Sequence, residues 1–403
     1  MAEERITARC CIAGGGPAGM MLGLLLARRG VDVLVLEKHA DFLRDFRGDT
    51  IHPSTLEVMH ELGLLDAFLS LPHQEVQTLG GQIGEFLVPI ADFRHLPTRC
   101  KFLALMPQWD FLNFLLAAAK RYPNFRLLLE ATATDLIEER GRIAGLRAQT
   151  RNGPCEVRAD LVVGADGRHS ILRARAGLEV RAFGAPMDVL WMRLSREPTD
   201  PPQTLGRIDA GRMMVMLNRD TYWQCAFLIR KGGFEAMRAQ GLPSFRETIA
   251  DLVPWLGQRT AELAEWSDVK LLTVAVDRLR CWYRPGLLCI GDAAHAMSPI
   301  GGVGINLAVQ DAVAAANILG PVLLLGAPSA ADLARVQRRR EWPTAMTQRL
   351  QVLIQNRVIT RILAGSGGGR PALPVRLLQW FPILRRLPAR LIGVGFRPEH
   401  IRQ

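Results

Sequence analysis

No apolar run in this sequence reaches the roughly 18 residues that a membrane-spanning helix needs. The longest candidate, residues 318–327, is short and interrupted by Gly320 and Pro321. The start, Met1-Ala2-Glu3-Glu4-Arg5, is acidic where a secretory leader is basic, and strand-like sequence follows at once. The expectation is a cytoplasmic protein. The seven cysteines (Cys10, Cys11, Cys100, Cys155, Cys225, Cys281 and Cys289) include no C-x-x-C and no wider metal-ligand spacing. Most lie in apolar runs, so they read as small buried hydrophobes rather than as disulfides or metal ligands. No Ser-His-Asp arrangement stands out either. Lysine is scarce: only five of the 50 basic residues are lysine, a bias that genome composition alone accounts for.

What is present is apolar. Of 403 residues, 49% are hydrophobic, enough for a large core in two or three domains and too many for a disordered chain. The net charge of +11 is concentrated at one end. From Arg335 onward there are fourteen arginines, no lysine and two acids, Glu341 and Glu399. These arginines alternate with Leu, Ile, Trp and Pro, a poor pattern for nucleic-acid binding. The expectation is helices with apolar faces on the body and arginines in water. The rival reading is a basic amphipathic surface that touches a membrane or a partner. The sequence leaves monomer and homodimer both open.

Residues 8–13 form a short apolar run, read as a buried parallel strand. Residues 17–29 read as a helix and residues 31–37 as a second strand, so together they make a βαβ unit. Between strand and helix lies Gly14-Gly15-Gly16-Pro17-Ala18-Gly19, which satisfies G-x-G-x-x-G. Gly14 permits the tight turn, Gly16 lets backbone approach a pyrophosphate, and Gly19 lets helix and strand pack closely. The helix N-terminus offers free N–H groups to phosphates. Glu37 ends the second strand, where a carboxylate can accept bonds from ribose hydroxyls. This element specifies a dinucleotide without choosing which one.

Two later strands end in paired motifs. Residues 162–167, Val-Val-Gly-Ala-Asp-Gly, end in Asp166-Gly167, and Leu288-Cys289-Ile290-Gly291-Asp292 ends in Gly-Asp. Residues 182–276 change texture, with strand-like stretches at 189–194, 212–217, 223–229 and 270–276, and helical ones at 233–240 and 244–252. They read as an antiparallel sheet of a second domain. Residues 299–304, Pro-Ile-Gly-Gly-Val-Gly, leave room for a flat ring against bare backbone. A helix from about Ile305 to residue 319 follows, whose first N–H groups face that loop and stabilise nearby negative charge by about 0.3–1 kcal/mol.

The three fingerprints, in this order, resemble those of the flavoprotein aromatic hydroxylases of the para-hydroxybenzoate hydroxylase type, over roughly residues 8–320. The fold implied is α/β: a Rossmann-like FAD-binding domain with an inserted antiparallel-sheet substrate domain and a helical C-terminal region. The segments expected are 1–74, 99–178 and 276–330 for FAD, 75–98 and 179–275 for substrate, and 331–403 for the basic tail. The resemblance implies FAD as cofactor and NADH or NADPH as electron donor. It assigns Gly14, Gly16, Pro17, Ala18 and Gly19 to the pyrophosphate, and Glu37 with Lys38 to the adenosine side. Arg47 falls near the phosphates and flavin, and Gln108 and Asp292 at the ribityl chain. Asp166 belongs to the Asp-Gly motif, linked in the family to FAD and nicotinamide nucleotide. Gly291 precedes Asp292, and Pro299, Gly301, Gly302, Gly304, Ile305 and Asn306 run along the isoalloxazine.

The reaction implied is hydroxylation of an electron-rich aromatic (a phenol, quinone or polyketide) by O₂ through a C4a-hydroperoxyflavin. No second G-x-G-x-x-G supplies a separate nicotinamide domain, in keeping with the family's transient use of NAD(P)H. A flavin-dependent reductase, a halogenase-like enzyme and a non-catalytic flavin-binding protein are the alternatives. The W-x-W-x-I-P segment of flavin halogenases is missing, and no cysteine pair follows the first motif as disulfide reductases require. No catalytic residue is identified. His295, on its Gly-Asp turn, reads as a structural hydrogen-bonding residue, and His52 and His169 likewise. Met214, Met216 and Trp223, with Pro299, are the candidates for a substrate pocket, chosen by strand parity.

Overall fold

The computed structural model describes residues 4–43, 50–201, 204–365 and 373–402. Its first sheet is built around strand β1 (Glu4–Ala13), helix α1 (Pro17–Arg28) and strand β2 (Val33–Glu37). The strand Gly153–Gly164 lies beside β1, and Leu287–Cys289 lies beside it in turn. Phe125–Leu129 flanks β2 on the other side. These five strands are mutually parallel. The antiparallel hairpin Thr132–Glu139 and Arg142–Thr150 extends from the first half of Gly153–Gly164. Register matters more here than strand count. Ala13 pairs with Leu36 and with Gly164, and Gly164 pairs with Cys289. Three strands far apart in sequence therefore stop level with one another, and the three glycine-containing motifs leave the same carboxyl edge of the sheet.

Helix α1 is apolar all round, and every residue from Ala18 to Ala27 is buried. It is enclosed by the sheet on one side and the helix Gly304–Leu325 on the other. Gly23 permits the closeness, because a Cβ there would meet Phe125 at 2.9 Å and Val35 at 3.0 Å. The helix Gly304–Leu325 runs through both Gly320 and Pro321, so the expected interruption does not occur. By length and composition it could cross a membrane, yet 72% of its apolar window is buried inside the protein. Its hydrophobicity serves the core.

The second sheet has seven strands, in the order Lys270–Leu272, Met187–Ser195, Tyr222–Arg230, Arg212–Asn218, Leu205–Asp209, Thr78–Ile83, Phe86–Asp92. All of its pairs are antiparallel except Leu205–Asp209 with Thr78–Ile83, which is parallel. The helix Leu242–Leu252 packs on one face through Phe245 and Ile249. A small sheet of Thr50–Ile51, Leu103–Leu105 and Gln74–Val76 links the two bodies.

The tail begins with the helix Ala330–Ile354, opened by a capping box in which Ser329 and Asp332 bond each other's backbone. Further on, Ala389 and Gly393 are buried against Phe93 and Leu96. This much matches the expected apolar packing. Trp380, Phe381, Ile383, Leu384 and Leu387 are exposed instead.

Candidate active site

The first motif divides its glycines by function. A Cβ at Gly14 (φ +111°) would lie 2.2 Å from the Ala165 carbonyl oxygen, and one at Gly19 would lie 1.9 Å from the Gly14 oxygen. Both positions hold backbone against backbone. A Cβ at Gly16 meets nothing within 4 Å. Gly16 is the N-cap of α1, carries no side-chain cap and faces open space, with Pro17 in the first turn. Backbone N–H groups at that helix end are thus free for an anion. Ala18 is buried against the Gly291–Asp292 motif, since a Cβ at Gly291 (φ +60°) would touch it at 3.1 Å.

Glu37 is buried at the end of β2 and accepts from the Gly15 N–H at 2.9 Å and the His39 N–H at 3.1 Å. The carboxylate is thereby fixed at the lip of the glycine turn, whereas Lys38 is exposed. Arg47 lies outside the described residues. Gln108 opens the helix Gln108–Ala119 behind its N-cap Pro107, with Asp110 in the first turn. The strand just before it, Leu103–Leu105, pairs with Thr50–Ile51.

The Asp-Gly and Gly-Asp motifs touch directly. Arg168 Nε donates to Asp292 at 3.0 Å. Asp166 accepts from the Ile171 and Leu172 N–H groups through one oxygen. Its other oxygen, Oδ1, is buried with no partner, as is Nη1 of Arg168. Two unsatisfied polar atoms of opposite character at one sheet edge suit a polar ligand, because each costs free energy while unpaired. Arg168, which directly follows the Asp166-Gly167 motif, is not among the residues singled out from the sequence.

The loop that follows is held from behind. A Cβ at Gly302 (φ +62°) would strike the Thr50 side chain at 3.0 Å, while one at Gly304 meets open space. Gly301 is also left-handed (φ +80°), and Pro299 precedes it as N-cap of a short 3-10 turn. Asn306 is buried, and its Oδ1 accepts from the hydroxyls of Ser54 and Thr55, both at 2.8 Å. Ile305 is buried beside it. Helix α2 (Pro53–Glu61) thus positions the start of Gly304–Leu325. His52 bridges two carbonyls, with Nδ1 2.6 Å from Ile392 O and Nε2 3.0 Å from Gly302 O. Burial pushes its pKa down, against the opposing pull of those two carbonyls. The structural reading of His52 and His295 fits their contacts. His295 is buried, with Nε2 2.5 Å from Asp311, and Asp311 also accepts from the Gly291 N–H at 3.0 Å and from Arg340 at 3.0 Å. Asp311, Arg340 and Glu399 form a buried chain of charge that no local motif announced.

The pocket expectation needs correcting. Met214, Met216 and Trp223 are fully buried between the second sheet and the helix Leu242–Leu252, sealed from the cofactor side. Trp223 Nε1 donates to Asp200 at 2.8 Å. Burial raises the Asp200 carboxyl, but its bonds from Arg259, the chain and Trp223 bring it to about 2. The opposite face of the same strands, with Trp191, Met213 and Val215, packs in one cluster with Ile300 of the glycine loop. Alternation along a strand puts neighbours on opposite faces, so Met214 and Met216 face away from the cluster that holds Ile300. Pro299 remains on the loop itself.

Comparison with known proteins agrees with this geometry. An FAD binding domain family model matches residues 7–349. The 6-methylpretetramide 4-monooxygenase of Streptomyces rimosus is 33% identical over 385 residues, covering 94% of this chain and 91% of the relative. Among solved structures, the OxyS anhydrotetracycline hydroxylase of the same species superposes with a TM-score of 0.74 at 22% identity, over 96% of this chain and 76% of that one. PqsL of Pseudomonas aeruginosa, described as a probable FAD-dependent monooxygenase, gives 0.73 at 21% identity over 90% and 98%. The hydroxylase reading is favoured over the halogenase one, and the chain is a member of the FAD-dependent aromatic hydroxylase family of flavoprotein monooxygenases.

Proposed function

We propose that this enzyme hydroxylates a polycyclic, polyketide-derived phenol, with NADH or NADPH as electron donor, and that it works in the cytoplasm. One observation carries the cofactor part: strand ends at Ala13, Gly164 and Cys289 stand in register, so three distant motifs meet at one edge. The substrate class rests on the 33% identical relative, which is named for 6-methylpretetramide. FAD, when bound, supplies hydride acceptance and O₂ activation; the protein supplies position and exclusion of water.

In this reading Gly14–Gly19 and the α1 N-terminus take the pyrophosphate, and Glu37 takes the adenosine ribose. Asp292, Asp166 and Gln108 take ribityl and neighbouring hydroxyls, and Arg168 turns its unpaired Nη1 to the phosphates. Residues 299–306 lie along the flavin ring, with the first N–H groups of Gly304–Leu325 facing its pyrimidine edge. Substrate lies between Pro299–Ile300 and the sheet face carrying Trp191, Met213 and Val215. We take residues 75–98 and 179–275 as the substrate domain and 1–74, 99–178 and 276–330 as the FAD domain.

The test is oxygen incorporation. FAD-loaded enzyme is given NADH or NADPH, ¹⁸O₂, and a panel running from simple phenols to tetracyclic polyketides. The expected result is one ¹⁸O atom in a polycyclic product and substrate-accelerated nucleotide oxidation. Conversion of simple phenols alone would overturn the substrate class, and absence of ¹⁸O from every product would overturn the proposed reaction.

A further inference from the structure

A cleft of about 280 Å³ lies between the helix Gly304–Leu325, the helix Ala330–Ile354 and the last residues described. Five arginines line it: Arg335, Arg338, Arg339, Arg397 and Arg402. Its one acid is Glu399, which is buried and already shared by Arg339 (2.6 Å) and Arg340 (3.4 Å). Arg335 has a long contact to Asp332 at 3.4 Å. The guanidinium groups of Arg338, Arg397 and Arg402 have no acidic partner among the described residues. The cleft is therefore strongly cationic, and like charges gathered in one concavity repel unless an anion sits among them.

Solvated arginines on a helix face are common, so the backbone decides the matter. The segment that carries Arg397 and Arg402 is strapped down. Glu399 N–H donates to Gln310, Ile401 N–H to Glu61 at 2.7 Å, and Arg402 N–H to Asn317 at 2.9 Å. Asn317 Nδ2 returns a bond to the His400 carbonyl at 2.8 Å. Arg397 is held at φ +50°, a left-handed conformation uncommon for a residue with a side chain. Two separate elements, one of them on a strapped-down backbone, thus present unpaired forks to one space. Guanidinium forks match phosphoryl oxygens two at a time.

We propose that this cleft binds a phosphate-bearing anion, at a place separate from the FAD site. The occupant is either free phosphate or pyrophosphate, or the phosphoryl part of a nucleotide. The cleft also has a route to the cofactor motif. Arg339 shares Glu399 with buried Arg340, Arg340 bonds Asp311, and Asp311 accepts from Gly291 N–H beside Asp292. An anion that draws Arg339 away from Glu399 changes the charge balance along that chain.

The experiment uses protein saturated with FAD, so that the flavin phosphate site is filled. Sodium phosphate, pyrophosphate and ADP are titrated calorimetrically against sodium chloride of matched ionic strength. Saturable binding of a phosphoryl anion is expected, weakened at least about tenfold in the Arg338→Ala/Arg402→Ala double variant. Arg338→Lys should recover part of the loss. FAD content and the melting temperature without anion should match the parent, because both side chains are exposed. Tighter binding of ADP than of pyrophosphate identifies a nucleotide, and equal binding identifies the free anion; either supports the site. Heats that follow ionic strength alone, or a double variant that binds like the parent, would sink the proposal.

Discussion

At the residue scale the glycines of the first motif are not equivalent, and substitution should separate them. Gly19→Ala forces a Cβ to 1.9 Å from the Gly14 oxygen. The expected cost is about 1–3 kcal/mol of stability or failure to fold, read by thermal unfolding of the apoprotein. Gly16→Ala meets no protein atom. It should leave apoprotein melting nearly unchanged while weakening FAD binding, read by flavin fluorescence titration. Equal melting losses in the two variants would contradict the division of roles. His52 gives a second prediction, in pH. Its folded pKa is depressed by burial, with its two carbonyl neighbours opposing. Below about pH 6.5 the unfolded histidine takes up a proton that the folded one resists, so stability falls as pH drops from there through the lower folded value. The urea midpoint should decline over that acid window, and His52→Gln should flatten the decline.

At the element scale, strand alternation governs which residues can meet substrate. Met214→Ala opens a cavity in a closed core, and about 2–5 kcal/mol of stability should be lost with KM for substrate little changed. Val215→Ala, one residue on and facing Ile300, should do the reverse: a modest stability loss and a several-fold change in KM. A change in KM for Met214→Ala alone would restore the parity chosen from sequence. That parity was not legible because Arg212–Asn218 is apolar on both faces. A strand apolar on both sides carries no alternation to read. The element boundaries around the cofactor motifs were far more legible, since Gly14, Pro17 and Glu37 are punctuation that only one local geometry tolerates.

At the scale of the whole molecule, the tail is part of the site's foundation. Asp311 is fully buried between His295 and Arg340. Burial raises its pKa, but the charges and bonds of His295 and Arg340 outweigh that and keep it low. Asp311→Ala leaves Arg340 without that partner and frees the Gly291 N–H. A loss of about 3–5 kcal/mol is expected, with reduced FAD occupancy. Glu399→Ala, nearly 90 positions further along, should also destabilise and should be less than additive with Asp311→Ala, because both act on Arg340. Full additivity in denaturant unfolding would show that the chain of charge is not a unit.

The sequence alone determined the cofactor and the fold class. Gly14–Gly19, Glu37, Asp166–Gly167, Gly291–Asp292 and the glycines of residues 301–304 act through backbone conformation and short-range bonds, and such requirements are written locally. Arg168 could have been added by the same reading, since it directly follows the recognised Asp166–Gly167 motif. Only the tertiary structure decided which face of the second sheet meets Ile300, that Asp311 reaches Arg340 and Glu399, and that arginines from two separate elements share one cleft. Those outcomes depend on contacts between segments tens to hundreds of residues apart, and no local pattern of charge or hydrophobicity encodes the partner at the other end.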